Sequence, residues 1–164
     1  EHKLLYGSKG ARAESGTTDA SSDVPEEDYV VPLGTAGLRR EGSDVTVLGW
    51  LLMLHEAMAA ASLVEPGIST EVIDVRSLAP FDWQTIGESI DKTGRVIIVE
   101  EGPKTGGVSA ELAAGIMERF PDKLMAPVMR VASADVPVPF SPVLEDMYRP
   151  DRNRIAAAIR DIMA

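Results

Sequence analysis

The residues best suited to chemistry follow the end of one apolar segment. Glu100 and Glu101 end the run 96–99, and Gly106 and Gly107 follow shortly after. Carboxylates at such a position can transfer protons or pair with cations. Adjacent glycines allow a backbone to approach a phosphate or a partner chain closely. In an open α/β sheet, functional groups collect at the carboxyl ends of the strands.

Together with these residues, three further side chains form a predicted polar rim at the carboxyl edge of the sheet. His55 follows the first long strand, Arg76 ends the next strand, and Asp135 lies in the loop after the last. Adjacent residues of an extended chain point to opposite faces, so Glu100 and Glu101 are not a close carboxylate pair. We expect one of them to pair with a cation such as Arg76. A single His on a helix is more often structural than catalytic, so the rim is not a complete catalytic set.

The glycine pair permits two interpretations. It can bring backbone N–H groups close to a phosphate or a partner, or it can form a tight turn that needs positive φ. The spacing matches neither GxGxxG nor GxxxxGK[ST], and GxSxG and HExxH motifs are absent from the sequence. We expect Gly107 to need positive φ or close backbone approach, whereas Gly115, in the middle of a predicted helix, tolerates valine.

The elements that position these residues alternate along the chain. Apolar runs predict strands, and stretches of helix formers predict helices that end at Pro66–Gly67, Gly94 and Pro121. Asp82 is a predicted N-cap and Gly94 a predicted C′ residue. The predicted strands are 36–40, 44–50, 70–76, 95–101 and 128–131, and the predicted helices are 51–64, 82–93, 107–120 and 151–164. This order predicts a three-layer α/β/α fold with a mostly parallel sheet of roughly five strands.

Composition excludes several classes of protein. The 164 residues are 45% hydrophobic and carry a formal net charge of −10, which argues against binding to nucleic acid or to anionic membranes. The absence of Cys excludes disulfides and zinc–thiolate sites and fits a reducing compartment. With two His, a His-rich metal site is also excluded. No apolar run in the sequence reaches the length of a membrane span.

The first third of the chain is less regular. Residues 1–6 read like the end of a strand and lack an initiator Met, so we expect a fragment of a longer polypeptide. Residues 10–23 are small and polar, and this composition predicts a poorly ordered linker. Residues 134–142 contain several prolines and predict an extended loop.

Six blocks of sequence resemble the C-terminal part of the beta subunit of thiamine-diphosphate-dependent 2-oxoacid dehydrogenases, the group that includes the pyruvate, branched-chain and acetoin enzymes. They occur in the family's order and span almost the whole chain. The blocks are 1–7 (EHKLLYG), 24–29 (VPEEDY), 40–46 (REGSDVT), 71–82 (EVIDVRSLAPFD), 99–102 (VEEG) with 106–107 (GG), and 135–139 (DVPVP). The sequence departs from the family at 10–23, where the usual connection is shorter.

The resemblance implies a transketolase-type C-terminal domain over residues 33–164. Residues 1–8 would be the tail of the preceding thiamine-binding domain, and 9–32 a partly disordered linker. Thiamine diphosphate and Mg would bind outside this chain, and the activating glutamate and active-site histidine would lie upstream. We therefore assign no catalytic, cofactor-binding or metal residue here. The polar rim, His55, Arg76, Glu100, Glu101, Gly106, Gly107 and Asp135, would be a subunit interface or the edge of an active site.

The resemblance also implies partners. The parent enzyme would be an α2β2 tetramer that oxidatively decarboxylates a 2-oxoacid, passes the acyl group to a lipoyl group and docks on the acyltransferase core through its peripheral-subunit-binding domain. We expect Glu145 and Asp146 to face that basic domain, and the isolated chain to be inactive. The expected compartment is the bacterial cytoplasm or, alternatively, the mitochondrial matrix. Two other interpretations are a different transketolase-like enzyme and an independent α/β protein that binds phosphate.

Overall fold

A five-stranded sheet forms the centre of the computed structural model, which describes residues 2–5, 20 and 23–164. The order of the strands is β1-β3-β2-β4-β5, and all neighbours are parallel except β1, which runs antiparallel to β3. The bounds are β1 Gly37–Arg40, β2 Val45–Gly49, β3 Thr70–Asp74, β4 Val96–Pro103 and β5 Met129–Ser133. The predicted mostly parallel sheet is confirmed.

Helices cover both faces of this sheet. They are α1 Leu52–Val64, α2 Trp83–Thr93, α3 Val108–Arg119, α4 Pro142–Tyr148 and α5 Arg152–Met163, with short 3-10 turns at Lys3–Leu5 and Pro121–Lys123. The α1 and α5 helices share one core cluster with the sheet, and α2 and α3 share the other. The three-layer α/β/α architecture is therefore confirmed.

The central strand β4 explains why its sequence is apolar without alternation. Ile97 and Val99 pack into the core beneath α1 and α5, whereas Val96 and Ile98 pack beneath α2 and α3. All four side chains are fully buried. A parallel strand covered on both faces selects β-branched residues at every position.

Helix α2 begins and ends where the sequence predicts. The Asp82 carboxylate accepts hydrogen bonds from the backbone N–H of Thr85 at 3.0 Å and of Ala36 at 2.8 Å. Burial raises the pKa of Asp82, but these hydrogen bonds outweigh it and hold the pKa below its usual value. At the other end, Gly94 has φ of 63° and donates its N–H to the Ile90 carbonyl.

Three features differ from the sequence prediction. The start of the chain, predicted to be the end of a strand, forms a 3-10 turn at Lys3–Leu5. The segment after 141 forms the short helix α4, which begins at Pro142, a residue suited to the first helical position because its ring presets φ. Strand β2 lies between β3 and β4, so the strand that Arg76 follows is not the neighbour of the strand that carries Glu100.

The predicted linker at 10–23 lies outside the described residues, apart from Ala20 and Asp23. The domain boundaries at residues 8 and 32 stay predictions. Within the described ranges, every helix is too short or too polar to cross a lipid bilayer.

Candidate functional site

The site is built around Glu100, near the carboxyl end of β4. This glutamate is 2% exposed and points towards the α2 and α3 layer, as Ile98 does two residues earlier. Its carboxylate accepts a hydrogen bond from the hydroxyl of Ser109 in the first turn of α3. The positive end of the helix dipole favours a carboxylate at that position. Glu100 therefore ties the end of the central strand to the start of the next helix.

Gly107 makes room for this carboxylate. Its φ is −74°, so positive φ is not the reason for glycine here. A Cβ atom at Gly107 would overlap both the Glu100 carboxylate and the Pro103 carbonyl oxygen, so the predicted close backbone approach is confirmed. Gly106 is the opposite case, because it has φ of 74° and open space around it.

The expectation for Gly115 is wrong. This residue is in the middle of α3, but it is buried, and a Cβ atom there would overlap the ring of Trp83. The indole of Trp83 lies close to the helix and stacks under the guanidinium of Arg119, 4.1 Å from the ring centroid. Valine at Gly115 would therefore require the Trp83 side chain to shift, so this position does not accept valine as readily as an open helix surface does.

Glu101 points to the other face of the sheet and contacts the start of the chain. The imidazole Nε2 of His2 lies 2.6 Å from its carboxylate. The adjacent Leu4 and Leu5 pack against the core cluster beneath α1 and α5. The opposite directions of Glu100 and Glu101 follow the alternation of an extended chain.

Asp135 joins the loop after β5 to the loop after β4. Its carboxylate accepts hydrogen bonds from the Thr105 hydroxyl at 2.7 Å and from the Thr105 backbone N–H at 2.9 Å. The Thr105 hydroxyl is the largest cause that lowers the pKa of Asp135, and the charge of Arg130 adds to it. Asp135 is therefore ionised at neutral pH and holds the glycine loop in place.

Arg76 does not pair with either glutamate of the rim. Its Nε lies 3.5 Å from the Asp74 carboxylate, which Arg39 also contacts at 3.0 Å. The guanidinium lies so close to Gly37 of β1 that a Cβ atom there would approach it to 2.6 Å. The physical reason is the strand order, which places Arg76 on the β1 side of the sheet with β2 between it and Glu100.

His55 lies in the first turn of α1, beyond the carboxyl end of β2, and is half-buried. The neighbouring residue, Glu56, contacts the start of α5. Glu56 accepts hydrogen bonds from the backbone N–H of Arg152 at 2.9 Å and from its guanidinium at 3.0 and 3.1 Å. These bonds raise the pKa of Arg152 and fasten α1 to the start of α5. The two residues are 96 positions apart, so no local pattern could reveal their contact.

The predicted docking residues lie on α4. Asp146 pairs with Arg149, and Glu145 is half-buried. The apolar side chains around them face solvent. Their exposed fractions are Phe140 100%, Met147 75%, Val143 70% and Leu144 52%.

A second polar cluster lies at the opposite end of the sheet and was not predicted from the sequence. Glu71, near the start of β3, is 2% exposed and contacts the Lys92 ammonium, the Ser89 hydroxyl and the backbone N–H of Gly42. The Ser89 hydroxyl also lies 2.6 Å from that of Thr46. The only signal in the sequence is an acid inside an apolar strand, which by itself does not reveal its partners.

Comparison with known proteins gives one family and several relatives. The family described as "Transketolase, C-terminal domain" matches residues 34–155. The chain is 38% identical to the acetoin:2,6-dichlorophenolindophenol oxidoreductase subunit beta of Cupriavidus necator, over 99% of this chain and 45% of that protein. It is 46% identical to the 2-oxoisovalerate dehydrogenase subunit beta 2, mitochondrial, of Arabidopsis thaliana, over 86% of this chain and 39% of that protein.

A solved structure shares the fold. The structure titled "Split gene transketolase, inactive beta4 tetramer" has a TM-score of 0.73 and 29% sequence identity, over 88% of this chain and 46% of that one. The chain thus spans less than half the length of each of these relatives. The resemblance to beta subunits of this group, inferred from the six blocks, is confirmed.

Proposed function

The chain belongs to the transketolase C-terminal domain family, and we propose that it is the assembly domain of the beta subunit of a thiamine-diphosphate-dependent 2-oxoacid dehydrogenase. The complete enzyme would oxidatively decarboxylate a 2-oxoacid and transfer the acyl group to a lipoyl group. The name of the Arabidopsis relative, a 2-oxoisovalerate dehydrogenase subunit beta, supports the 2-oxoacid substrate, and both names support a beta subunit of an oxidoreductase. Because the chain spans less than half of each, the activity is proposed for the whole enzyme and not for this chain.

The observation that carries the proposal is that the acids of the rim contact the protein itself. Glu100 accepts from Ser109, Glu101 contacts His2, and the Asp135 carboxylate is held by Thr105. A catalytic acid or base must instead face the proton that it transfers in a substrate. These contacts fasten loops and the start of the chain to the carboxyl end of the sheet. This arrangement supports a subunit interface, for which rigid loops are an advantage.

The described residues do not fit thiamine diphosphate. The Glu100 carboxylate lies beside the first turn of α3, where a diphosphate would need to approach the free N–H groups. Mg²⁺ bound with a diphosphate takes its ligands from the phosphates and from one or two carboxylates, so the ion would lie wherever the diphosphate lies. The proposal therefore assigns both to the remainder of the enzyme. The same contact weighs against an independent phosphate-binding protein.

Assembly and activity can be tested together. The assay is 2-oxoacid-dependent reduction of an artificial electron acceptor, with thiamine diphosphate and magnesium, by the chain alone and by the complete α2β2 enzyme that contains it. We expect turnover only from the complete enzyme. Turnover by the chain alone would refute the assembly role. A complete enzyme inactive on both pyruvate and 2-oxoisovalerate would refute the 2-oxoacid class, and activity on the hydroxyketone acetoin instead would identify an acetoin-cleaving enzyme.

We further propose that α4 docks the basic peripheral-subunit-binding domain of the acyltransferase. Glu145 and Asp146 would supply charge, and exposed Phe140 and Met147 would supply apolar area. A basic partner would have to share Asp146 with Arg149. Electrostatic complementarity acts mainly on the rate of association and is screened by salt.

The docking proposal predicts a kinetic effect. The double variant Glu145→Gln/Asp146→Asn in the complete tetramer should associate about threefold more slowly, with a flatter dependence on salt. The matched control is Glu111→Gln/Asp122→Asn, which removes the same charge from exposed positions on and after α3. If the two double variants had identical association rates and salt dependences, Glu145 and Asp146 would not lie in the interface and the docking role of α4 would be rejected.

A transketolase-like enzyme is a second candidate, which the structural likeness to a split-gene transketolase supports. The two candidates differ in substrate. The complete enzyme should act on a 2-oxoacid in the first case and transfer a ketol group between sugar phosphates in the second. Either candidate is compatible with the bacterial cytoplasm or the mitochondrial matrix as compartment.

A further inference from the structure

Three cations in this acidic chain lack a carboxylate partner and line one cleft. Most of the Lys and Arg side chains described by the structure lie within 4.0 Å of a carboxylate, as in the pairs of Arg39, Lys92 and Arg152. Lys104, Arg130 and Arg154 make no such pair with any described residue. All three line a cleft of about 330 Å³ beside the edge strand β5, which we call the β5 cleft.

Carbonyl oxygens hold the two guanidinium groups in place without neutralising them. Arg130 donates to the Lys104 carbonyl at 2.8 Å. Arg154 donates to the carbonyls of Ala132 at 3.1 Å and Arg149 at 3.2 Å. A guanidinium has five N–H donors, so each keeps donors for a ligand. The cations are thus pre-organised, and no described carboxylate lies within 4.0 Å of them, although the charge of Arg130 also acts at longer range on Asp135.

The cations occupy both walls of the β5 cleft. Lys104 and Arg130 come from the loop after β4 and from β5, and Arg154 comes from α5 on the other side. Asp161 is the one acid among the lining residues. The charged side chains of the β5 cleft are thus positive on balance, whereas the whole chain has a net charge of −10.

We propose that the β5 cleft binds an extended acidic segment of a partner protein. The cleft is open, because Lys104, Arg154 and Asp161 are exposed. Cations that three different elements contribute to an open cleft suit successive carboxylates of a peptide, whereas a small anion needs donors that converge on one point. The cleft also follows the edge of the sheet, where an extended segment can lie alongside β5.

The test measures binding of a fluorescein-labelled octaglutamate peptide to the chain by fluorescence anisotropy at low ionic strength. The variant Lys104→Gln/Arg130→Gln should weaken binding roughly five- to tenfold, since it removes two ion pairs. The control Arg95→Gln/Arg160→Gln removes the same charge from half-buried Arg95 and exposed Arg160, two other cations that pair with no described carboxylate. It should change affinity by less than about twofold, because only long-range charge is lost.

A variant with one substitution separates a loss of binding from a failure to fold. The Lys104 side chain is exposed and makes no hydrogen bond in the described structure, so Lys104→Gln should fold normally and still weaken binding about threefold. Equal losses in the two double variants would attribute binding to net charge alone and overturn the proposal. Absence of binding would also overturn it. Displacement of the peptide by inorganic phosphate, at an ionic strength where chloride has no effect, would instead indicate a small-anion site and reject the peptide.

Discussion

Two buried glutamates lie on the same face of the sheet, near its opposite ends. Glu71, at the amino end of β3, and Glu100, at the carboxyl end of β4, are each 2% exposed. Glu71 contacts the Lys92 ammonium as well as a hydroxyl and a backbone N–H. Glu100 contacts the Ser109 hydroxyl, and no Lys, Arg or His of the described chain lies within 4.0 Å of it. The buried carboxylate thus has a cationic partner at the amino end of the sheet and a neutral hydroxyl partner at the carboxyl end.

The difference indicates at which end of the sheet the buried charge is balanced by a cation of the same domain. At the amino end, charge is balanced within the domain, and Thr46 and Thr93 extend the network between strand and helix. At the carboxyl end, the carboxylate depends on a helix terminus and on a loop whose glycines fit around it. The loops and α4 at this end also expose apolar side chains. The proposed assembly should therefore alter the carboxyl end of the sheet more than the amino end.

The largest effect is expected from Gly107→Val. The new side chain would overlap a backbone carbonyl and the Glu100 carboxylate, so the free energy of unfolding should fall by about 3 kcal/mol. Gly115→Val should cost about 2 kcal/mol, because the group that it meets is the Trp83 side chain, which can shift. Urea denaturation measures both losses.

Gly67→Val is the matched control for these two variants. A Cβ atom at Gly67 meets only the Val64 carbonyl, at an ordinary 3.5 Å. We expect a change of about 0.5 kcal/mol or less. If Gly107→Val were as mild as this control, the close fit of the loop around Glu100 would be wrong.

The next prediction compares the two glutamates directly. Glu71→Gln replaces an oxygen that faces donors with an NH₂ group, and it leaves Lys92 unpaired. Because the Lys92 side chain is 44% exposed and can turn to solvent, we expect a loss of about 2 kcal/mol and not the larger cost of a fully buried pair. Glu100→Gln should cost about 1 kcal/mol, since the Ser109 hydroxyl can still bond the amide oxygen. Equal losses in urea denaturation would remove the distinction between the two ends.

The smallest effect concerns the loop beside Glu100. Thr105→Val removes the hydroxyl that lowers the pKa of Asp135, so this pKa should rise towards its ordinary value of 3.8. A lowered pKa stabilises the fold above the ordinary value, and this stabilisation is lost as pH falls through the folded value. The variant should therefore lose less stability on acidification. Carboxyl ¹³C titration by NMR measures the shift, and Asp82 is the internal control because Thr105 does not contact it.

The sequence predicts those parts of the molecule that depend on neighbours along the chain. The apolar run of β4, the Asp82 cap and the Gly94 terminus each depend on residues within one turn or strand, and all are confirmed. The proposed partner of Arg76 was wrong because strand order is a long-range property, which periodicity does not encode. Gly115 was misread for a similar reason, since Trp83 reaches it from another helix.

The central claim is that the carboxyl end of the sheet is the surface completed by assembly. Hydrogen exchange of the chain, measured alone and within the complete enzyme, tests it most directly. We predict added protection at 102–109 and 136–147 on assembly and unchanged exchange at 70–74 and 89–93, where the Glu71 network is already closed. Unchanged exchange at 102–109 and 136–147, or protection confined to the Glu71 end, would contradict the account.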